Sequence, residues 1–155
     1  MIPINLPAEA RTSVATLLNQ LLADTIDLSQ QAKQAHWIVR GPNFVGLHEL
    51  FDTVAEQAQE HADELAERVV QLGAAPDGTI AGVVTRTRLP RYPTGTLTWS
   101  EHVRTLGASL SALATHVRAA IALAEEYGDA GTADLFTQIS RDLDKSVWMV
   151  SSHAD

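Results

Sequence analysis

The sequence predicts an all-α protein, a four-helix bundle in which one long connection joins two helical hairpins. Three observations lead there. Four segments carry apolar residues at spacings of three, four and seven, the period of a helix with one buried face. Two of the three junctions are short and marked by Gly, Pro, Asn or Asp. The third, residues 73–97, collects glycines at 73, 78, 82 and 95 and prolines at 76, 90 and 93.

The first helix is expected from about Ala8 to Val39. Val14, Leu18, Leu21, Leu28, Ala32 and Ala35 form its stripe, and His36, five full turns after Leu18, falls on it. Gly41-Pro42-Asn43 breaks the helix. The second runs from about Val45 to Leu72 and stops at Gly73, a suitable residue just past a helix end. The long connection should hold at most a short helix near Thr79 to Thr85. The third helix starts near Thr98 or Ser100, with Val103, Leu106, Leu110, Leu113, Val117 and Ile121 inward, and ends at Gly128. A tight Asp129-Ala130-Gly131 turn leads to the fourth, whose core side is Leu135, Phe136, Ile139, Leu143, Val147 and Val150. Short links make antiparallel neighbours, and the long connection can run the length of the bundle. That connectivity is the ferritin-like topology.

Composition sets the outer bounds. The 155 residues fit a single domain, with about residues 1–7 as a short tail. Hydrophobic residues make up 45% and charged residues 19%, ordinary values for a globular chain. Cysteine is absent, which excludes disulfides, thiolate catalysis and sulfur-ligated metal. Eleven basic against nineteen acidic residues give a net charge of −8, which opposes strong binding to a phosphate backbone. The first residues show no basic or apolar region of a signal peptide. No stretch approaches ~18 consecutive apolar residues, so no membrane span is expected. The expected setting is the cytoplasm.

One ordered set of residues carries chemistry: His36, His48, Asp52, Asp63 and Glu67. Imidazole nitrogen and carboxylate oxygen together suit iron or zinc. On a helix at ~100° per residue, with His48 at zero, Asp52 lies at ~40°, Asp63 at ~60° and Glu67 at ~100°. All four share one side. The His48/Asp52 pair is nonetheless centred ~15 residues, or ~22 Å, from the Asp63/Glu67 pair. Metal–ligand bonds are about 2 Å long, so one copy of the helix cannot close a site. An antiparallel second copy can, about a two-fold axis near Gln57 and Ala58, and isologous dimers supply such axes.

Each residue has a plainer reading. His36 alone fits a satisfied helix histidine. His48 with Asp52 fits a surface hydrogen-bonded pair. Asp63 and Glu67, like charges four apart, repel unless a cation joins them, whereas Glu64 and Arg68 fit an ordinary helical ion pair. The Glu-x-x-His pairs of in-bundle di-iron sites are absent from the sequence, which favours the interface. Trp37 adjoins a candidate ligand, where an indole could take up oxidising equivalents.

The run K-Q-A-H-W-I-V-R-G-P-N-F-V-G-L-H-E-L-F-D, Lys33 to Asp52, and H-A-D-E-L-A-E-R, His61 to Arg68, resemble the Dps family, the DNA-binding proteins from starved cells, or mini-ferritins. R-D-L-D-K-S-V-W-M, Arg141 to Met149, is similar to that family's last helix. The likeness spans essentially the whole chain. It implies a hollow dodecamer with ferroxidase sites at two-fold interfaces. His36, His48 and Asp52 would come from one chain, Asp63 and Glu67 from the other, with at most two iron ions per site. Zinc is a possible substitute or inhibitor. Lys33 matches a lysine near the site and Trp37 a neighbouring tryptophan. Asp134, and also Asp129, match carboxylates of an iron-entry pore, although either could cap or complement a helix N-terminus.

The function implied is Fe(II) oxidation, preferably by hydrogen peroxide, with storage of Fe(III) mineral inside the shell and protection against oxidative damage. The alternative is a nucleoid-binding structural protein with incidental metal sites. The sequence departs from the family's name-giving members, which carry a lysine-rich DNA-binding tail. Here the first basic residue is Arg11 and the chain ends S-S-H-A-D. Only Arg86, Arg88 and Arg91 cluster. Weak or no DNA binding is therefore expected.

Overall fold

The computed structural model describes residues 4–154, so Met1 to Pro3 of the expected tail and Asp155 lie outside the described residues. Helices α1 (Ala8–Ile38), α2 (Phe44–Gln71), α3 (Ile80–Arg86), α4 (Trp99–Glu126) and α5 (Ala130–Ser151) follow in order. Among the described residues there is no strand. α1 packs on α2 and α4 on α5, and the hairpins meet chiefly along α1 and α4. The fold is the all-α bundle with one long crossover that the periodicity predicts.

The stripes read from the sequence line the core, with Ile121, Leu135 and Val147 half-buried at its edge. α2 adds Leu47, Phe51 and Leu65, which no stripe names. Leu18, Leu28, Leu47, Phe51, Leu65, Leu106, Leu110, Leu113, Phe136 and Ile139 are fully buried. Each such side chain contributes about 1.5–3 kcal/mol relative to exposure. α4 is long and apolar enough to cross a membrane by length and composition alone, but in this fold it supplies the bundle core.

Helix ends follow local chemistry. Gly73 and Gly128 take positive φ, 85° and 73°, and turn the chain at the ends of α2 and α4. Thr98 opens α4 with a reciprocal cap: its side chain accepts from the Glu101 backbone N–H, and the Glu101 carboxylate accepts from the Thr98 N–H. The bonds that its carboxylate accepts from the Thr98 N–H and the Thr98 hydroxyl hold the Glu101 carboxyl below its ordinary range. The turn expected at Asp129-Ala130-Gly131 is shorter than the sequence suggested. Gly128 alone reverses the chain, Asp129 is the N-cap, and Ala130 and Gly131 are already helical.

The crossover is fastened to α1. Asp24, fully buried, accepts from the Arg88 backbone N–H at 2.8 Å and from Arg88 Nε and Nη2 at 3.0 and 2.6 Å. Gln31 donates to the Pro90 carbonyl at 3.0 Å. The short α3 is capped by Thr79, whose hydroxyl accepts from Gly82 N–H at 3.1 Å. Farther on, the Tyr92 hydroxyl lies 2.7 Å from Nδ1 of His102. Burial pushes the tyrosine up and the histidine down, and among the described residues His102 Nε2 has no hydrogen-bond partner.

Candidate metal centre

His36 lies in the last turn of α1 and His48 early in α2, on either side of the tight turn at residues 39–43. The turn folds one helix back on the other and stacks the two imidazoles, with centroids 3.7 Å apart and planes 19° from parallel. The pair is bonded reciprocally. His36 Nδ1 is 2.7 Å from the His48 carbonyl oxygen, and His48 Nδ1 is 2.8 Å from the His36 carbonyl oxygen. A carbonyl can only accept, so both rings carry their proton on Nδ1 and present the Nε2 lone pair. The His36 carbonyl is one of those left without a helical partner at the end of α1, so the bond also closes that end.

Asp52 sits one turn beyond His48, and Lys33 one turn before His36. Lys33 Nζ pairs with Asp52 Oδ1. The hydrogen bond from Lys33 holds the Asp52 carboxyl below its ordinary range, and the lysine's positive charge adds to this. Phe44 packs on His48 with ring centroids 5.1 Å apart. Trp37, next to His36, is 64% exposed, an outward aromatic with no core to fill.

The structure thus brings His36, His48, Asp52 and Lys33 together within one chain. Asp63 and Glu67 are not with them. Both are exposed farther along α2, and neither has a hydrogen bond among the described residues. Among the described residues, no three His, Asp or Glu side chains of one chain are arranged to hold a metal ion. Within one chain the five candidate residues thus form two separate groups, His36, His48 and Asp52 at the α1–α2 turn and Asp63 and Glu67 farther along α2.

The two candidate pore carboxylates separate. Asp129 is 2% exposed. It accepts from Thr132 N–H at 3.0 Å, Thr132 Oγ1 at 2.6 Å and Arg68 Nη2 at 2.8 Å, and so acts as the buried cap of α5. Asp134 is exposed. The expected Glu64–Arg68 pair is absent among the described residues: Arg68 extends to Asp129, Thr132 and Gln71, and Gln138 approaches Glu64. A buried carboxylate at a helix N-terminus outcompetes the half-buried Glu64 for the guanidinium. Phe44 was overlooked in the sequence, though an aromatic four residues before a candidate ligand is a usable signal.

A crossover bundle with this chain path is a ferritin-like domain, and residues 15–155 match the family profile described as ferritin-like domain. A protein of Agrobacterium fabrum named DNA protection during starvation protein is 44% identical over 149 residues, covering 96% of this chain and 92% of its own. The solved Mycobacterium smegmatis Dps superposes with a TM-score of 0.94 at 31% identity, over 99% of this chain and 94% of that one. A Vibrio cholerae Dps, described as a member of a broad superfamily of ferritin-like diiron-carboxylate proteins, gives 0.90 at 30% identity, over 96% and 93%. The chain belongs to the Dps family.

Proposed function

We propose that this protein is a ferroxidase and iron-storage mini-ferritin whose catalytic centre is shared by two chains. The observation that carries this reading is the His36–His48 pair. Reciprocal bonds to carbonyls fix both tautomers and leave each Nε2 as a metal ligand, the arrangement by which outer contacts orient ligating histidines. Asp52 of the same chain would complete one half of the site. Asp63 and Glu67 of a neighbour would supply the other half, since their own chain holds them ~22 Å away along α2.

Fe(II) is the substrate. Two Fe(II) ions give one electron each to hydrogen peroxide, the O–O bond breaks, two protons are taken up, and two waters leave with two Fe(III). The neutral imidazoles and three carboxylates bind the incoming cation and offset its rising charge. Lys33 holds Asp52 in place until iron replaces it as the counter-charge. Trp37 is placed to absorb a stray oxidising equivalent. The Fe(III) product would pass into the cavity of a dodecamer. Exposed Ile80 and Val84 on α3, 85% and 71% accessible, supply apolar surface for assembly. The entry pore is assigned to Asp134, because Asp129 is occupied as a cap.

The arginines argue against a DNA role. Arg86 is paired with Asp77 and Arg88 with Asp24, so two of the three clustered cations are engaged within the subunit. Crystals of the assembled protein soaked anaerobically in ferrous salt test the proposal. Iron anomalous peaks should lie between His36, His48 and Asp52 of one chain and Asp63 and Glu67 of another. Light scattering should give twelve copies of 16.7 kDa. Peroxide should oxidise bound iron faster than dioxygen in stopped flow. A monomer, or iron bound only elsewhere, refutes the reading.

A further inference from the structure

The turn that sets the two histidines face to face is weakly held by its own residues. α1 ends at Ile38 with Val39 as its C-cap, and Asn43 opens α2 without a side-chain cap bond. Besides the two histidine–carbonyl bonds that span it, the turn has backbone bonding: Val39 N–H to Ala35 O at 2.9 Å, Phe44 N–H to Gly41 O at 3.1 Å and Leu47 N–H to Asn43 O at 3.0 Å. Between them Gly41 stands at φ 122°, a conformation that L side chains rarely adopt.

Trp99 of α4 fills the space that a side chain on residue 41 would need. A Cβ on Gly41 would lie 2.9 Å from Cδ1 of the indole. Trp99 is itself fixed, as the first residue of α4 directly after the Thr98–Glu101 cap. Packing around this contact is open. A cleft of about 580 Å³ separates the end of α1 from residues 94–98, with Ile38, Arg40 and Gly41 on one wall and Leu97, Thr98 and Trp99 on the other. The indole therefore braces the turn where there is room for it to move.

We propose that Trp99 is a positioning residue for the His36–His48 pair, acting from the other hairpin through Gly41. This rests on the reading of those histidines as iron ligands. Without the indole the turn relaxes into the cleft. The 3.7 Å stack and the paired Nδ1–carbonyl bonds, which depend on how α1 meets α2, then lose their common geometry.

The test compares wild type, Trp99→Ala and Trp99→Phe as assembled proteins. Solid-state ¹⁵N spectra of the metal-free proteins report the histidine tautomers, and calorimetric titration with Co(II) reports affinity at the site. Trp99→Ala should lose the uniform Nδ1–H signature of His36 and His48 and bind Co(II) about 10–100-fold more weakly, the usual cost of losing an orienting contact. Trp99→Phe, which restores a flat ring, should recover most of both. If Trp99→Ala does not assemble, Trp99→Leu takes its place. An Ala or Leu variant with wild-type tautomers overturns the proposal, whatever its affinity. If wild type binds no Co(II) at this pair but Trp99→Ala still scrambles the tautomers, the positioning role stands and the metal reading falls.

Discussion

The shared-site reading makes a complementation experiment decisive. Asp52 and Glu67 lie on the same helix, fifteen positions apart, and at 1.5 Å per residue ~22 Å separates them. They cannot meet at one ion within a chain. Asp52→Ala should cripple both sites of a homodimer, because each site takes one Asp52. Glu67→Ala should do the same. In a mixed dimer both lesions fall on a single site, since Asp52 of one chain faces Glu67 of the other, and the second site keeps every ligand. Random pairing makes about half the dimers mixed, so roughly a quarter of all sites recover. The assay is the initial rate of Fe(II) oxidation after the two inactive variants are dissociated, mixed and reassembled, with mixed dimers counted by mass spectrometry. About a quarter of the wild-type rate is expected. A mixture no faster than its parents, with mixed dimers present, would refute the interface assignment.

Three further outcomes are expected. His102 is buried, and desolvation lowers its pKa against the opposing pull of the Glu101 carboxylate, so between that lowered value and ~6.5 the unfolded chain binds the extra proton and the folded chain does not. Its contribution to stability is complete above about pH 6.5 and is lost as the pH falls. Denaturation curves of His102→Gln should be flatter than wild type over that window, and an equal slope would show that other groups set it. Arg68→Ala should leave the Asp129 charge buried with only its Thr132 bonds and cost about 3 kcal/mol, read as a fall in melting temperature of roughly 6–12 °C; no change would mean the pair is energetically neutral. In a gel-shift assay at physiological salt, duplex DNA should run unretarded, because a net charge of −8 supplies no counterion release; a salt-sensitive shift would reveal a basic surface made only on assembly.

The helices and the candidate ligands were legible in the sequence for one reason. Both follow from the 3.6-residue period, which places Val14, Leu18 and Leu21 inward as surely as it places His48, Asp52, Asp63 and Glu67 together. What spacing along one helix cannot encode is contact between helices. The stacking of His36 on His48 depends on how a five-residue turn closes. Arg68 left its neighbour Glu64 for Asp129, sixty-one positions away, because burial at a helix N-terminus made that carboxylate the stronger acceptor. The same cap explains why residues expected to form a turn became the first turn of α5. The role of Gly41 needed Trp99, which the sequence places fifty-eight residues later.

α2 is a single helix of 28 residues, and on the proposed shared-site reading it would carry ligands for two different sites. In a symmetric dimer its length would then act as a spacer, holding the two iron centres ~22 Å apart. At that separation two doubly charged ions in water interact by about 0.8 kcal/mol, and a screening length of about 8 Å leaves only about 0.05 kcal/mol of it. On that reading iron at one centre would be screened from the other, each dimer would fill in two independent events, and uptake would follow iron supply without a threshold.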